Sequence, residues 1–136
     1  MEWKLEVVTI PVTDLDRAKD FYAERLGFNV DIDHTVDGFR FLQLTPNGSK
    51  CSVHLRRGSG DRPAGSVHDI FLVVRDVRAA RDHLVQKGVD ASDVQVFESG
   101  GYRPARRQES LDMVGFVFLA DPDGNSWIVQ QIPSRD

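Results

Sequence analysis

The chain has 136 residues, 40% of them hydrophobic and 28% charged, which is ordinary for one globular domain with its own core. Its formal net charge of -4 argues against non-specific binding to nucleic acid, because such binding needs a cationic surface. A single cysteine, Cys51, excludes an internal disulfide, and no apolar run approaches the length of a membrane span, so we expect a cytoplasmic protein without a leader peptide.

The chain begins with a predicted strand and a capped helix. Val8, Ile10 and Val12 alternate with residues 9, 11 and 13, which is the period of a strand with one buried face and predicts a strand over about residues 5–12. Asp14 is a good N-cap for a helix over residues 14–26, and Gly27 can adopt the left-handed conformation that ends it. An apolar stripe marks the buried side of this helix: Leu15, Ala18, Phe21, Tyr22 and Leu26.

Three further strands complete the first half. Phe28, Val30 and Ile32 alternate with polar residues and predict a strand over residues 28–34. The apolar stretches on either side of T-P-N-G predict a β-hairpin, because proline presets a turn and Asn-Gly tolerates positive φ. Its strands cover residues 39–44 and 51–56. The Gly-, Pro- and Ser-rich stretch that follows predicts a linker over about residues 59–66.

The second half repeats the first. A strand over residues 69–74 leads into a helix capped by Asp76 and ended by Gly88, where D-V-R-A-A-R-D matches D-L-D-R-A-K-D of the first helix. The turn D-P-D-G, between strands over residues 114–120 and 126–132, is the counterpart of T-P-N-G. This repetition predicts one α+β domain made of two βαβββ modules, which cover about residues 1–58 and 67–136.

Extra residues lie between the second and third strands of the second module, over about 97–112. They include Tyr102, Arg103, Arg106 and Arg107. Long loops inside small domains are mostly functional lids or mobile segments. Two interpretations stay open: a solvated basic loop, or a lid that contacts an acidic or aromatic ligand.

The repeated module, with x-x-D-L-x-R-A-x-x-F-Y-x-x-x-L-G-F in the first half and F-x-x-D-P-D-G-N in the second, resembles the vicinal oxygen chelate superfamily. That superfamily includes glyoxalase I, extradiol dioxygenases and bleomycin resistance proteins. The resemblance covers nearly the whole chain. It implies a curled mixed sheet that forms a cup with helices outside, usually completed across a homodimer or within a chain of paired modules. The motifs themselves are helix caps, helix core and hairpin turns, so they do not specify a reaction.

Enzymes of that superfamily hold one divalent metal ion, and the resemblance places its ligands at four strand positions. In this chain those positions hold Val7, then Ser52 or His54, then Asp69 with His68 beside it, and Ile128. Hydrocarbon side chains cannot donate electron pairs to a metal, so we expect no metal and no other cofactor. His54 and Asp69 are the candidates for catalytic acid-base groups, if there is a reaction.

Strand parity predicts which side chains line the cup. The lining consists of aromatic and aliphatic walls with a few separated polar groups, which suits a flat, largely apolar ligand. Over residues 114–120 either Phe116 and Phe118 or Val117 and Leu119 line the site, whereas Trp127 falls on the core side. The predicted ligand-binding residues are Val7, Thr9, Phe39, Phe41, Gln43, Ser52, His54, Arg56, Phe71, Tyr102, Arg103, Ile128 and Gln130.

These features favour a metal-free homodimer that sequesters an aromatic or hydrophobic small molecule, such as a natural-product antibiotic. We expect neither nucleic acid nor a membrane as a partner. The alternative is a lyase, isomerase or dioxygenase of the same superfamily, with a rearranged metal site or with acid-base chemistry by His54 and Asp69.

Overall fold

The described part of the chain, residues 1–134 of a computed structural model, has the predicted α+β architecture, with one sheet of four strands and one of five. These residues divide into two units. The first contains Met1–Val67 and Asp121–Asn125, and the second contains His68–Ala120 and the described residues from Ser126 onward. Over residues 1–134, no helix has the length and apolar character needed to cross a membrane.

The first unit contains the four-stranded sheet, whose strands lie in the order β1-β4-β3-β2. Strand β1 pairs with β4 in parallel, whereas the β2–β3 and β3–β4 pairs are antiparallel, so the predicted hairpin around T-P-N-G is confirmed. Leu42, Leu44 and Leu55 are fully buried and form the core side of the sheet. The elements are β1 (Val7–Val12), α1 (Leu15–Lys19), a π-helical segment (Asp20–Arg25), β2 (Asn29–Val36), β3 (Phe39–Thr45) and β4 (Ser52–Arg57).

The first helix begins as predicted but is not a regular α-helix throughout. The Asp14 side chain accepts a hydrogen bond from the Arg17 amide at 3.0 Å, which confirms it as the N-cap. From Asp20 the helix widens, and the Leu26 amide donates to the Phe21 carbonyl, five residues earlier. A wider turn rotates less per residue, so the adjacent side chains of Phe21 and Tyr22 both reach the buried side.

Strand β2 contains an irregularity that the alternating pattern did not predict. Val30 pairs with the buried Leu44, but Ile32 pairs with Gln43, so the register shifts between them. Such a β-bulge changes the face on which later side chains lie. Ile32 is therefore 45% exposed instead of sharing the core side with Val30, and the strand continues to Val36.

The predicted linker is held along β1. The Arg62 side chain donates to the Thr9 carbonyl at 2.9 Å, and the Gly65 amide donates to the Pro11 carbonyl at 3.2 Å. Gly65 has a φ of 80°, and a Cβ atom there would lie 2.1 Å from the Asp123 carbonyl oxygen. This position therefore requires glycine, because backbone atoms leave no room for any side chain.

The D-P-D-G turn belongs to the first unit, although its flanking strands belong to the second. Its Gly124 has positive φ, as Gly48 has in T-P-N-G. The hydrogen bonds differ between the two turns, because Ser49 donates to Pro46 in one and Gly124 donates to Asp121 in the other. The two turns are therefore alike in composition but offset by one residue in their hydrogen bonding.

The second unit contains the five-stranded sheet, in the order β5-β9-β8-β6-β7. The Asp76 side chain caps α2 as predicted, accepting from the Ala79 amide at 3.0 Å. Trp127 is buried, as its core-side parity predicted. The elements are β5 (Ile70–Val74), α2 (Val77–Gln86), β6 (Gln95–Glu98), β7 (Gly101–Pro104), β8 (Gly115–Ala120) and β9 (Ser126–Gln131).

Strand β7 was not predicted, so the second module has one strand more than βαβββ. It forms an antiparallel hairpin with β6 through Ser99 and Gly100, which both have positive φ. Two consecutive residues with positive φ are typical of the turns that join hairpin strands tightly. The extra segment thus begins as an ordered hairpin rather than as a loop.

Candidate functional site

The exposed face of the four-stranded sheet carries two phenylalanines where a solvent-facing strand would normally be polar. Along β3, Leu42 and Leu44 are fully buried, whereas Phe39 and Phe41 are 39% and 46% exposed. Period-2 alternation puts these two rings on the same face, where their centroids are 4.6 Å apart in an edge-on arrangement. This apolar surface is therefore built by the strand pattern and lies open to solvent.

Strand β4 adds a cation and an imidazole to the same surface. The guanidinium carbon of Arg56 lies 5.3 Å from the centroid of Phe39, within the range of a cation–π contact. The ring of His54 stacks nearly parallel to Phe41, with centroids 6.0 Å apart. We call these four residues, Phe39, Phe41, His54 and Arg56, the aromatic strip.

His54 is held in its neutral form. Burial, and secondarily the charge of Arg56, lowers the pKa of His54 below its ordinary value of 6.5. Its Nε2 atom is inaccessible to solvent and has no hydrogen-bond partner within residues 1–134. A general base normally has an orienting partner and access to the proton that it takes. His54 has neither on its Nε2 side within the described residues, and a catalytic role for it stays a prediction.

Polar and small side chains border the aromatic strip. Thr9 and Gln43 both pair with His54 in the sheet and lie in the same row. Ser52, one of the predicted ligand-binding residues, is only 7% exposed, and its hydroxyl is 2.6 Å from that of Thr45. Val7 pairs with Ser52 and is 41% exposed. The described structure therefore presents Thr9, Gln43 and Val7 at this surface, whereas Ser52 is largely engaged by Thr45.

The second unit carries a separate group of rings on one face of its sheet. Ile128 pairs with Phe71 on one side and with Phe118 on the other, so these side chains share a face. The two alternatives for strand β8 are thereby resolved: Phe116 and Phe118 are on this face, and Val117 and Leu119 are in the core. We call the five rings Phe71, Phe97, Tyr102, Phe116 and Phe118 the aromatic cluster.

Tyr102 is the central ring of the aromatic cluster. Its centroid lies 5.2 Å from Phe97, 5.7 Å from Phe116 and 5.0 Å from Phe118, in edge-on arrangements. Phe71 and Tyr102 remain 52% and 49% exposed, whereas Phe116 is buried beneath them. The β6–β7 hairpin therefore brings Tyr102 and Phe97 over the sheet, as a lid residue would be placed.

Arg103 lies on the opposite side of the hairpin from Tyr102. It pairs with the buried Val96, and its guanidinium forms a two-pronged ion pair with Glu109, at 2.9 and 2.7 Å. The Arg103 guanidinium, together with the Arg106 amide, lowers the pKa of Glu109 to about 2. The charge of Arg103 is therefore already paired with Glu109 and holds the hairpin in place, and a ligand-binding role for Arg103 stays a prediction.

The other predicted site residues of the second unit are buried or already form hydrogen bonds within the protein. Gln130 donates through its side chain to the Met113 carbonyl at 2.8 Å, and Ile128 is 7% exposed. Asp69 precedes β5 with a φ of 61°, and its amide donates to the Ser126 hydroxyl at 2.8 Å. Its carboxylate lies 3.5 Å from the same hydroxyl, as does Nδ1 of His68. Asp69 is thus held by Ser126, and a catalytic role for it stays a prediction.

The positions that the family resemblance assigns to metal ligands do not fit a divalent ion. Two of them hold Val7 and Ile128, which have no donor atoms, and Nε2 of His54 is buried. Over residues 1–134, no group of three or more His, Cys, Asp or Glu side chains is arranged to hold a metal ion. A divalent cation of this type needs about three protein donors, which these residues do not supply.

Some surface residues were missed by sequence reasoning. The β2 bulge brings Ile32, His34 and Val36 to the same face as Phe41 and Phe39, with which His34 and Val36 pair. Phe97 was missed because its strand was placed at the start of a loop. A bulge leaves no clear signal in one sequence, whereas E-S-G-G before Tyr102 could have indicated a hairpin turn.

Comparisons with known proteins agree with this architecture. Among solved structures, the chain is similar to TnmS3, an antibiotic binding protein from Streptomyces sp. CB03234, with 27% identity and a TM-score of 0.76 over 96% of this chain and 97% of that one. It is 29% identical to a glyoxalase/bleomycin resistance protein from the same strain, with a TM-score of 0.73 over 94% and 100% of the two chains. For UcmS2 the identity is 28% and the TM-score 0.73, over 98% and 100%.

No curated protein matches the chain significantly. The sequence pattern that describes the Glyoxalase/Bleomycin resistance protein/Dioxygenase superfamily, however, matches residues 4–129, which include both repeated modules. That match confirms the resemblance drawn from the helix caps and hairpin turns. The chain therefore belongs to the glyoxalase/bleomycin resistance protein/dioxygenase superfamily.

Proposed function

We propose that this protein binds an aromatic or hydrophobic small molecule, such as a natural-product antibiotic, and sequesters it without changing it. The observation that carries this proposal is the exposure of stacked rings on otherwise ordinary sheet faces. Phe39 and Phe41 in the aromatic strip, and Phe71 and Tyr102 in the aromatic cluster, are each between 39% and 52% exposed. Exposed apolar patches of this kind mark binding surfaces, because leaving them in water costs free energy.

The printed description of TnmS3 as an antibiotic binding protein supports the same proposal. The binding we propose needs no metal, and two of the four implied ligand positions, Val7 and Ile128, lack donor atoms. Neutral His54 would contribute its ring face, and Gln43 and Thr9 would orient the ligand through hydrogen bonds. A cytoplasmic location is part of the proposal. It rests on the single cysteine, Cys51, which cannot form an internal disulfide.

We further propose that the chain acts as a homodimer. Its first residues, Met1 to Glu6, place Trp3 and Leu5 in solvent, 87% and 71% exposed, next to the exposed Val7. These apolar residues alternate with Glu2, Lys4 and Glu6, a spacing that puts them on one side of the segment when it is extended. A second copy of the chain is the partner that would cover it.

Binding is tested with N-phenyl-1-naphthylamine, an uncharged aromatic probe whose fluorescence rises in apolar sites. We expect saturable binding to the wild-type protein. Phe41→Ala and Tyr102→Ala should each weaken binding by about 1–2 kcal/mol, roughly five- to thirtyfold, if their surfaces contact the probe. Val85→Ala is the control, because Val85 is 47% exposed on α2 and belongs to neither ring group.

Sequestration is tested with bleomycin and other natural-product antibiotics as competitors of the probe. Mass spectrometry of the recovered compound should show it unchanged after incubation with the protein. Catalytic conversion of a bound compound, lost in His54→Ala, would instead establish the enzymatic alternative. Absence of saturable binding by every one of these compounds would contradict the proposed function.

A further inference from the structure

Arg56 is the fixed positive charge of the aromatic strip, and it lacks a carboxylate partner. Its guanidinium contacts the face of Phe39, and among residues 1–134 it forms no ion pair. Some arginines of the chain differ from it: Arg17, Arg40, Arg81 and Arg103 each pair with an acidic side chain. The neighbouring Arg57 is also exposed and forms no ion pair within the same residues.

A cavity of about 330 Å³ lies beside these two arginines, at the end of the sheet where Phe39 begins β3. Arg40, Asp14 and Asp16 also line it. The charge of Arg40 is compensated, because it pairs with Asp16 at 2.6 Å and with Asp33 at 2.8 Å. The Asp14 carboxylate caps the first helix. The lining therefore contains three arginines and two aspartates, and Arg56 and Arg57 are the arginines of this lining that form no ion pair within residues 1–134.

We propose that the ligand is an aromatic anion, whose carboxylate or sulfonate binds Arg56 and Arg57 in this cavity while its ring lies on Phe39 and Phe41. This inference rests on the proposed function and specifies its ligand class. A guanidinium presents a planar fork of donors that matches a carboxylate or sulfonate edge. Stacking on Phe39 orients Arg56 before the ligand arrives, so less rotamer freedom is lost on binding.

Geometry favours one continuous ligand over two separate ones. Phe39 lines the cavity, contacts Arg56 and lies 4.6 Å from Phe41. One small molecule is therefore long enough to place an anionic group in the cavity and a ring system on the aromatic strip. Neutral His54 adds no second charge to this surface, so Arg56 decides the preference for anions over neutral compounds.

The test compares 8-anilinonaphthalene-1-sulfonate with N-phenyl-1-naphthylamine, which has the same rings but no sulfonate. We expect Arg56→Gln to weaken binding of the sulfonate about three- to tenfold more than it weakens binding of the neutral probe. Arg57→Gln should act in the same direction, and Arg56→Lys should restore part of the affinity. Arg107→Gln, an exposed arginine of the second unit, is the matched control and should leave both probes unaffected.

Salt dependence provides an independent readout. The affinity of the wild-type protein for the sulfonate should fall as sodium chloride rises from 20 to 300 mM, by about the factor expected for Arg56→Gln. Its affinity for the neutral probe should not fall. Equal losses for both probes in Arg56→Gln, or no loss for either, would overturn the anion site while leaving aromatic binding intact. Failure of both probes to bind the wild-type protein would instead contradict the proposed function itself.

Discussion

At the scale of single residues, Asn125 is the most constrained polar group of the first unit. It is fully buried, and its side-chain nitrogen donates to the Pro11 carbonyl and to the Asp121 carboxylate, each at 2.8 Å. Its side-chain oxygen accepts from the Val67 amide at 3.1 Å. The Asp121 carboxylate also accepts from the Tyr22 hydroxyl at 2.7 Å. This buried network fixes the turn through donors that only an amide can supply.

Asn125→Asp should therefore destabilise the protein although it changes almost no volume. Two donors become acceptors, which leaves the Pro11 carbonyl with only the Gly65 amide as a donor and sets a new carboxyl beside Asp121, at a cost of about 2–4 kcal/mol at pH 7. Because this environment raises the pKa of the new carboxyl, the loss should shrink as pH falls toward 5. Urea denaturation at pH 7 and at pH 5 measures this loss of unfolding free energy.

Asn47→Asp is the control for that substitution. Asn47 occupies the corresponding exposed turn and makes one long hydrogen bond, 3.3 Å to the Gly27 carbonyl. Loss of this hydrogen bond should lower the free energy of unfolding by less than about 1 kcal/mol. Equal destabilisation by the two substitutions would contradict the role assigned to the buried network. The sequence motif D-P-D-G-N indicated a turn correctly. The partners of its side chains outside the motif, Pro11, Tyr22 and Val67, are far away in the chain and could not be predicted.

At the scale of elements, Arg103 fastens the β6–β7 hairpin to the residues that follow it. It pairs with Glu98 at 2.7 Å and with both oxygens of Glu109, and Glu109 also accepts from the Arg106 amide at 2.7 Å. Arg78 adds a hydrogen bond to the Arg106 carbonyl at 2.7 Å. Together these contacts hold the hairpin that carries Tyr102.

Glu109→Gln should loosen this segment in a pH-dependent way. The pKa of Glu109 is lowered to about 2 from its ordinary 4.5, so its stabilising contribution is full above about pH 4.5 and is lost as pH falls toward 2. We expect backbone amides of residues 101–109 to exchange several-fold faster in the variant at pH 7. The ratio of variant to wild-type exchange should approach one as pH falls below 4.5.

Glu24→Gln, at an exposed position of the first helix, is the control and should leave exchange in residues 101–109 unchanged. A ratio that stays constant from pH 7 to pH 3 would show that the carboxylate charge is not what holds the hairpin. Sequence reasoning located this segment and its arginines. It did not place β7, because strand pairing over four residues leaves too weak a hydrophobic pattern.

At the scale of the whole molecule, the exposed N-terminal residues should decide the state of association. We expect the chain, of 15.3 kDa, to have twice that mass in solution when measured by light scattering during size-exclusion chromatography. Replacing Trp3 and Leu5 together by serine should shift the protein toward the monomer. A symmetric interface loses each contact twice, so the dissociation constant should rise by at least about tenfold.

Val85→Ser, at another exposed apolar position, should leave the mass unchanged. A wild-type monomer at about 100 µM, with no change on further concentration, would contradict the dimer. A dimer that persists unaltered in the double variant would show that the interface lies elsewhere.

The sequence by itself determined the features that depend on neighbouring residues. Helix caps at Asp14 and Asp76, the turns, the repeated module and the alternation that exposes Phe39 and Phe41 are all local, so short patterns record them. Only the tertiary structure decided the bulge in β2, the neutral stacked His54, the capture of Arg103 by Glu109 and the free guanidinium of Arg56. These depend on contacts between residues distant in the chain, whose geometry one sequence does not encode in any short-range pattern.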